Sequence, residues 1–274
     1  MWSNIHTHST WCDGTSTPSE IVEAAVESGM PSIGFSSHGP LPFPCNWCLP
    51  PARFEAYVEA LRQLDHSSAI PVFVGLEVDF IPGLIGPADF KNELDFTIGA
   101  VHFVDGEETN RWEADNNLDV FSAGLQQYFN GDVRKAVERY FELIRLMLEH
   151  STPDVLGHMD RIRVHNISRS FFDESSSWFR TALSDTLELA VAKNVVVEVN
   201  TRGMYKRNLG EPYPSKFALK RLAELRASIM LASDAHHVHD LTRGFQAANQ
   251  IIKECGIKNV FEFSRDGWKE VAIK

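Results

Sequence analysis

Short apolar runs alternate along the chain with amphipathic stretches of helical length. Ile5 sits in a brief extended start. Thr17-Pro18-Ser19-Glu20 then reads as a helix opening, with Thr17 as N-cap, Pro18 at the first helical position and Glu20 completing a capping box. This helix runs through Ile21, Val22, Ala25 and Val26 and stops at Gly29. Residues 32–36 predict a strand, and residues 52–65 a helix with Phe54, Tyr57, Val58, Leu61 and Leu64 at helical spacing. Residues 72–76 and 96–101 read as buried strands, and residues 133–149 as a strong amphipathic helix carrying Val137, Tyr140, Phe141 and Ile144. The alternation continues with a strand end at 154–157, a helix over 174–193, a strand over 195–199, a helix over 215–225, a strand over 229–232 and a helix over 241–254.

Strands alternating with helices of this length predict an α/β fold with a parallel sheet. About seven strands fit a closed or nearly closed barrel, with an open doubly wound sheet as the alternative. No linker or composition break divides the chain, so residues 1–274 read as one domain. Residues 104–131 are polar and long, and read as an inserted loop or lid over an active site.

Composition changes this picture little: 43% hydrophobic and 23% charged residues are ordinary for a globular protein. The net charge of -11 argues against a nucleic-acid partner, which would need clustered Lys and Arg. It leaves an anionic small substrate open, because bound metal ions would reverse the local sign. The cysteines at 12, 45, 48 and 255 are too few for a disulfide scaffold, and Cys45-Asn46-Trp47-Cys48 reads as a loop with ordinary thiols. There is no signal-peptide pattern and no apolar run long enough for a membrane span, so the expectation is a cytoplasmic protein with no membrane partner.

The polar residues that follow the apolar runs carry the chemistry. Ile5 is followed by His6 and His8; residues 33–37 by His38; Val74-Gly75-Leu76 by Glu77; residues 98–101 by His102; Val155-Leu156-Gly157 by His158. The strand at 195–199 ends at Asn200, and the last strand ends in Asp234 and His236. In a parallel barrel all of these ends share one rim, where active sites sit. Imidazole nitrogen mixed with carboxylate oxygen, without cysteine, suits Zn, Mn or Fe at a catalytic site. His6-Thr7-His8 and Asp234-Ala235-His236 each put two side chains on one face of an extended segment. With Asp13 the candidates number nine, too many for one ion, so two or three divalent transition metals sharing a bridging carboxylate are expected. Such a site suits phosphate-ester hydrolysis. His66, His150 and His165 read as surface residues, and one of His237 and His239 as a support for the site.

His6-x-His8, Asp13, His38, Glu77, His102, His158 and Asp234-x-His236, in order over nearly the whole chain, resemble the ligand set of the PHP-domain phosphoesterases. Within that family, Ser37-His38-Gly39-Pro40, Gly75-Leu76-Glu77-Val78-Asp79, Gly99-Ala100-Val101-His102, residues 157–162 and residues 199–203 are similar to the histidinol-phosphatase type. The resemblance implies a distorted (β/α)7 barrel of PHP type. It implies one metal on His6, His8, Glu77 and Asp234, a second on Glu77, His102 and His158 with Glu77 bridging, and a third on Asp13, His38 and His236. It implies phosphate binding by Arg161 and Arg202, whose planar forks match phosphate oxygens.

The activity implied is hydrolysis of L-histidinol phosphate by in-line attack of an activated water, as a step of histidine biosynthesis. Asp234, His236 or a water could protonate the leaving oxygen. Glu198, Asn200 or carboxylates within 104–131 could receive the substrate's ammonium and imidazole, with Trp47 or Tyr205 as an aromatic wall. The competing readings are a phosphoesterase for another small phosphate ester or a nucleotide, and a metal-binding regulatory module without catalysis.

Overall fold

The apolar runs are buried on both faces, the pattern of parallel strands packed between a barrel interior and a ring of helices. The computed structural model describes residues 2–107, 110–207 and 209–273. In chain order the elements are α1 (Pro18–Glu27), β1 (Ile33–His38), α2 (Phe54–Ser67), β2 (Val72–Asp79), β3 (Phe96–Ala100), β4 (Phe103–Glu107) and β5 (Asn110–Glu113). Then follow α3 (Leu118–Phe129), α4 (Val133–His150), β6 (Val155–Leu156), α5 (Ser177–Ala192), β7 (Val196–Asn200), α6 (Arg202–Lys206), α7 (Lys216–Leu225), β8 (Ile229–Ala232), α8 (Phe245–Glu254), β9 (Asn259–Ser264) and β10 (Gly267–Ala272).

Six strands form one parallel sheet in the order β1-β2-β3-β6-β7-β8, curled so that its two edges approach each other. The N-terminal segment lies between those edges. Asn4 bridges Ile33, and Thr7 bridges Ala235 just beyond β8, both in parallel sense. Asn4 and Thr7 carbonyls accept from Gly34 and Ser36 at 2.9 Å, while His8 donates to the Ala235 carbonyl at 2.8 Å. The seventh stave of the expected barrel is therefore this short, irregular segment. Gly34 is required for it: a Cβ there would sit 2.8 Å from the Ile5 side chain.

Ile5, Phe73, Phe96, Ile98, Val155, Val196, Met230 and Ala232 fill the barrel interior. The β9–β10 hairpin plugs the end from which the strands start, with the Phe263 ring 4.9 Å from Phe73 and 5.6 Å from Phe96. The helices pack outside. The α1 capping box forms as expected: Thr17 Oγ1 accepts from Glu20 N–H at 3.3 Å, and Glu20 Oε2 accepts from Thr17 N–H at 2.7 Å. The last helix begins at Phe245 rather than Leu241, because Gly244 takes a left-handed φ of 82°. Among the described residues no helix is long and apolar enough to cross a membrane.

Two expectations need correction. The stretch 104–131 is an antiparallel hairpin, β4 and β5, followed by α3, instead of a loop. Trp112, Ala114, Phe121 and Leu125 anchor it in the main core. Cys45 and Cys48 form a disulfide instead of remaining free thiols. The proline-punctuated loop after β1 folds back on itself and brings their Cα atoms to 5.5 Å, within disulfide reach.

Inside the barrel Gly75 faces the Phe96 ring so closely that an added Cβ would overlap it. Overpacking a fully buried site of this kind costs about 1–3 kcal/mol. Gly75→Ala should lower the urea midpoint accordingly with an unchanged slope, and an unchanged midpoint would show that Phe96 has room to move.

Candidate metal centre

The centre is set by strand register. His38 and Glu77 end β1 and lie within β2 as direct parallel partners, and Asp79 pairs with Ala100, two residues before His102. His158 follows β6 at the same level, and Asp234 follows β8. Asp234 has a left-handed φ of 53°, unusual for a residue with a side chain. That turn lets Ala235 fold back onto Thr7 and aims the Asp234 carboxylate inward.

Glu77, 1% exposed, lies at the middle of the group. Its Oε2 is 3.0 Å from His38 Nδ1, 3.2 Å from His6 Nε2 and 3.4 Å from His8 Nε2. Its Oε1 is 2.6 Å from His158 Nε2 and 3.5 Å from His102 Nε2. Asp234 Oδ1 stands 3.4 Å from His8 Nε2 and 3.8 Å from His6 Nε2. On the solvent side Asp13 reaches His236 Nε2 at 3.1 Å, His8 Nδ1 at 3.6 Å and His38 Nε2 at 3.8 Å. All nine residues expected as metal ligands thus come together.

The donor set fits cations. His6 Nε2, His8 Nε2 and His38 Nδ1 are buried, make no hydrogen bond, and all face Glu77 Oε2. Buried polar atoms left so are rare unless something else coordinates them. Four groupings put ligand atoms within 4.8 Å of one another: His6-His8-Glu77, His6-His158-Asp234, His38-Glu77-His102 and His8-Asp13-His38-His236. The last contains the expected third triple. His6-His8-Glu77 falls within the expected first set, while His158 groups with His6 and Asp234, and His38 joins Glu77 and His102.

Two carboxylates aim the imidazoles. Glu198 Oε1 accepts from His6 Nδ1 at 2.5 Å, and Asp79 Oδ1 accepts from both the backbone N–H and Nδ1 of His102, at 2.8 Å and 3.0 Å. A carboxylate can only accept, so each Nδ1 carries the proton and each Nε2 is presented to the centre. Burial alone would lower the pKa of His8, His6 and His102. For His8 the Asp234 carboxylate 3.4 Å away and further interactions with Cys12 and Asp13 outweigh burial and raise it to about 10. For His102 Asp79, Asp115 and Glu77 raise it to about 10. His6 is raised by Glu198, Glu77 and Asp234. Burial keeps His236 down, at about 4, with His8 adding to the effect. Burial works to raise Glu77 and Asp234, but the surrounding histidines, and Arg202 beside Asp234, hold both carboxyls well below the usual range.

Above the centre a cavity of about 230 Å³ is lined by Asp13, His38, Glu77, His102, Asp234 and His236 on its floor. Its walls are Arg161, Arg202, Trp47, Glu113, Asp115 and Asn116. Arg202 Nη1 donates to His236 Nδ1 and to the Asp234 carbonyl, both at 2.8 Å. Arg161 pairs through Nε with Asp115 and lies 3.4 Å from Asp234 through Nη1.

Three of the residues expected to contact substrate lie elsewhere. Glu198 and Asn200 are fully buried beneath the floor: Glu198 holds His6 and accepts from His158 N–H at 2.7 Å, and Asn200 Nδ2 donates to Glu198 at 3.1 Å and to Asp234 at 3.3 Å. Tyr205 donates to the Ser233 carbonyl at 2.8 Å, away from the cavity. His165, expected at the surface, is half-buried against the Asn116 carbonyl. His66 and His150 are exposed as expected, and His237 and His239 stack on each other without lining the cavity. Asp79 and Asp115 were not singled out from the sequence. Asp79 could have been, since it lies two residues from Glu77 on the same face of β2.

Two expectations follow for chelator-treated protein titrated with a divalent transition metal. Glu198→Gln and Asp79→Asn should each weaken uptake about 10- to 100-fold by releasing an imidazole, against no change if the carboxylates are mere ballast. Asp13→Ala and His6→Ala should each cost about one equivalent of metal by elemental analysis and the double variant two; loss of all metal in either single variant would mean a single indivisible cluster.

Residues 4–202 match the PHP domain model. The chain is 24% identical over 269 residues to the Deinococcus radiodurans protein named "Probable histidinol-phosphatase", covering 93% of this chain and 94% of that one. It is 23% identical over 270 residues to the histidinol-phosphatase of Bacillus subtilis, covering 88% and 96% respectively. Its fold superimposes with a TM-score of 0.72 on the solved Lactococcus lactis histidinol phosphate phosphatase in complex with zinc, L-histidinol and phosphate, at 20% identity and over 98% of this chain and 100% of that one. With the curled parallel sheet and its histidine-carboxylate rim, this places the chain in the PHP-domain family.

Proposed function

We propose that this chain is a metal-dependent phosphomonoester hydrolase whose substrate is L-histidinol phosphate. The observation that carries the reading is the single cavity whose floor is a histidine-carboxylate cluster and whose wall carries two arginines. The names of the two relatives, each matched over most of its length, support the substrate.

Two or three divalent cations such as zinc, manganese or iron, held by His6, His8, Asp13, His38, Glu77, His102, His158, Asp234 and His236, would supply Lewis acidity and an activated water. The residues of the chain do the rest. Arg161 and Arg202 flank Asp234 from two sides, at 3.4 Å and 3.8 Å, and present their remaining N–H groups to a phosphate set on the floor. Asp115 fixes Arg161, and the His236 and Asp234 contacts fix Arg202, so both forks are oriented before substrate arrives. Asp234 stands between both arginines and His236 lies 2.8 Å from Arg202, and we assign proton handling at the leaving oxygen to this pair. Glu113 and Asp115 on the wall offer negative charge to the ammonium and imidazole of the substrate.

A panel of small phosphate esters tests the reading on metal-loaded protein. Histidinol phosphate should have the highest kcat/KM, and a chelator should abolish turnover. A flat profile would leave a general phosphatase, and no hydrolysis of any ester would remove the enzyme reading. Losing a hydrogen bond to a charged group costs roughly 1.5–3 kcal/mol, so Arg161→Ala and Arg202→Ala should each lower kcat/KM about 10- to 100-fold. Wild-type kinetics in either variant would exclude that arginine from phosphate binding.

A further inference from the structure

The Cys45–Cys48 disulfide has no part in the metal centre, yet Trp47, one of the two residues between its ends, lines the catalytic cavity. The Trp47 ring meets His38 edge-on at 4.6 Å and His102 edge-on at 5.7 Å, and stacks on Phe103 at 5.8 Å with planes 14° apart. It therefore covers one side of the floor and faces a cavity whose wall carries Glu113 and Asp115. An indole face next to two carboxylates is suited to a planar or cationic group.

Apart from the bridge, Trp47 is held there by side-chain packing, with Phe43 and Cys45 beside it against Leu41, Ile81 and Phe103. Among the described residues the backbone of 42–48 makes no hydrogen bond, and the nearest pins are Gly39 N–H to the Glu77 carbonyl at 2.7 Å before it and Leu49 N–H to the His38 carbonyl at 3.0 Å after it. Cys48 is 6% exposed and packs with Leu41, Ile81 and Phe103, so it is an anchored end. Cys45 is half-buried and Asn46 exposed. The bridge ties the outer end of a turn without hydrogen bonds to the anchored end, and Trp47 is carried between them.

We propose that Trp47 is a specificity-determining residue for the aromatic, cationic end of the substrate, and that the Cys45–Cys48 disulfide is the element that positions it. The inference rests on the phosphomonoesterase reading and adds a redox dependence to its substrate recognition. Reduction requires an external dithiol. Its thiolate attacks the accessible Cys45 sulfur, the Cys45–Cys48 bond breaks, and Cys48 leaves as a thiolate. The second thiol of the reductant then resolves the mixed disulfide. The reductant becomes a disulfide, and Cys45 and Cys48 become thiols by gaining two electrons and two protons. The outer turn at Cys45 is then held by side-chain packing alone, and Trp47 swings away from His38 and His102.

The test compares metal-loaded wild-type protein, the same protein reduced with a dithiol, freed of reductant and reloaded with metal, and Cys45→Ser, which needs no reductant. Histidinol phosphate is set against glycerol phosphate, which has neither ring nor cation. A cation–π contact is worth about 0.5–2 kcal/mol, so reduced protein and Cys45→Ser should show KM for histidinol phosphate raised about tenfold with kcat little changed. Trp47→Ala should show the same rise in KM, and kcat/KM of Cys45→Ser for glycerol phosphate should stay at the wild-type value. An unchanged KM in reduced protein and Cys45→Ser overturns the proposal, as does a parallel fall for glycerol phosphate, which would mean general damage to the centre. If wild-type protein hydrolyses glycerol phosphate but not histidinol phosphate, the substrate assignment has failed instead. Positioning is then decided by fluorescence: reduction should shift emission to the red in wild-type protein and not in Trp47→Phe, and an unshifted spectrum overturns it.

Discussion

A buried carboxylate is the constraint on which this molecule turns. Glu77 lies within a parallel strand, 1% exposed, where an uncompensated charge would cost several kcal/mol. Five imidazoles from His6, His8, His38, His102 and His158 surround its two oxygens within 3.5 Å. They come from the N-terminal segment and the ends of three other strands. Compensating one charge therefore requires nearly the whole barrel to be closed in register. A one-residue slip of β2 would turn Glu77 out toward the helices and leave the histidines facing an apolar side chain.

Closure in turn depends on the least regular stave. Residues 4–8 form bridges rather than a strand, because the segment has to present His6 and His8 inward while its backbone serves two edges at once. Asn4 helps on the polar side: its Nδ2 donates to Ser233 Oγ at 2.8 Å and to the Leu241 carbonyl at 3.0 Å. The left-handed Asp234 completes the seam from the opposite edge. Backbone strain of this kind persists where surroundings over-determine it, and here it is held by Arg202 and Tyr205 on the Asp234 carbonyl.

Much of this was legible in the chain, for a physical reason. A barrel places every strand end on one rim, so a list of apolar runs and the polar residue after each is already a map of the floor. Depth along a strand is harder to read. Glu198 and Asn200 share a face of β7, and periodicity alone does not say that both lie beneath the floor rather than on it. Carboxylates within 104–131 were expected near the substrate, but Asp115 and Glu113 could not be picked out among them, because Trp112, Phe121 and Leu125 are spaced too widely to announce a core-anchored hairpin and helix in a polar stretch. The Cys45–Cys48 bridge was hidden because two cysteines three apart specify no partner until the prolines around them fold the loop back.

The charge at the rim also fixes an order of events. Asp13, Glu77, Asp79, Asp115, Glu198 and Asp234 stand against only two guanidinium groups, and both of these are already engaged, Arg161 with Asp115 and Asp234, Arg202 with Asp234 and His236. A phosphate dianion approaching that floor meets net negative charge. The raised pKa values of His8 and His102 show how the residues balance it among themselves, by keeping protons on imidazoles. Divalent cations would take over that balance, displace those protons and invert the sign seen by the substrate. Under the proposed function, the arginines would then act as selectors of phosphate geometry rather than as its main attraction. Anion binding at this floor would thereby be conditional on metal.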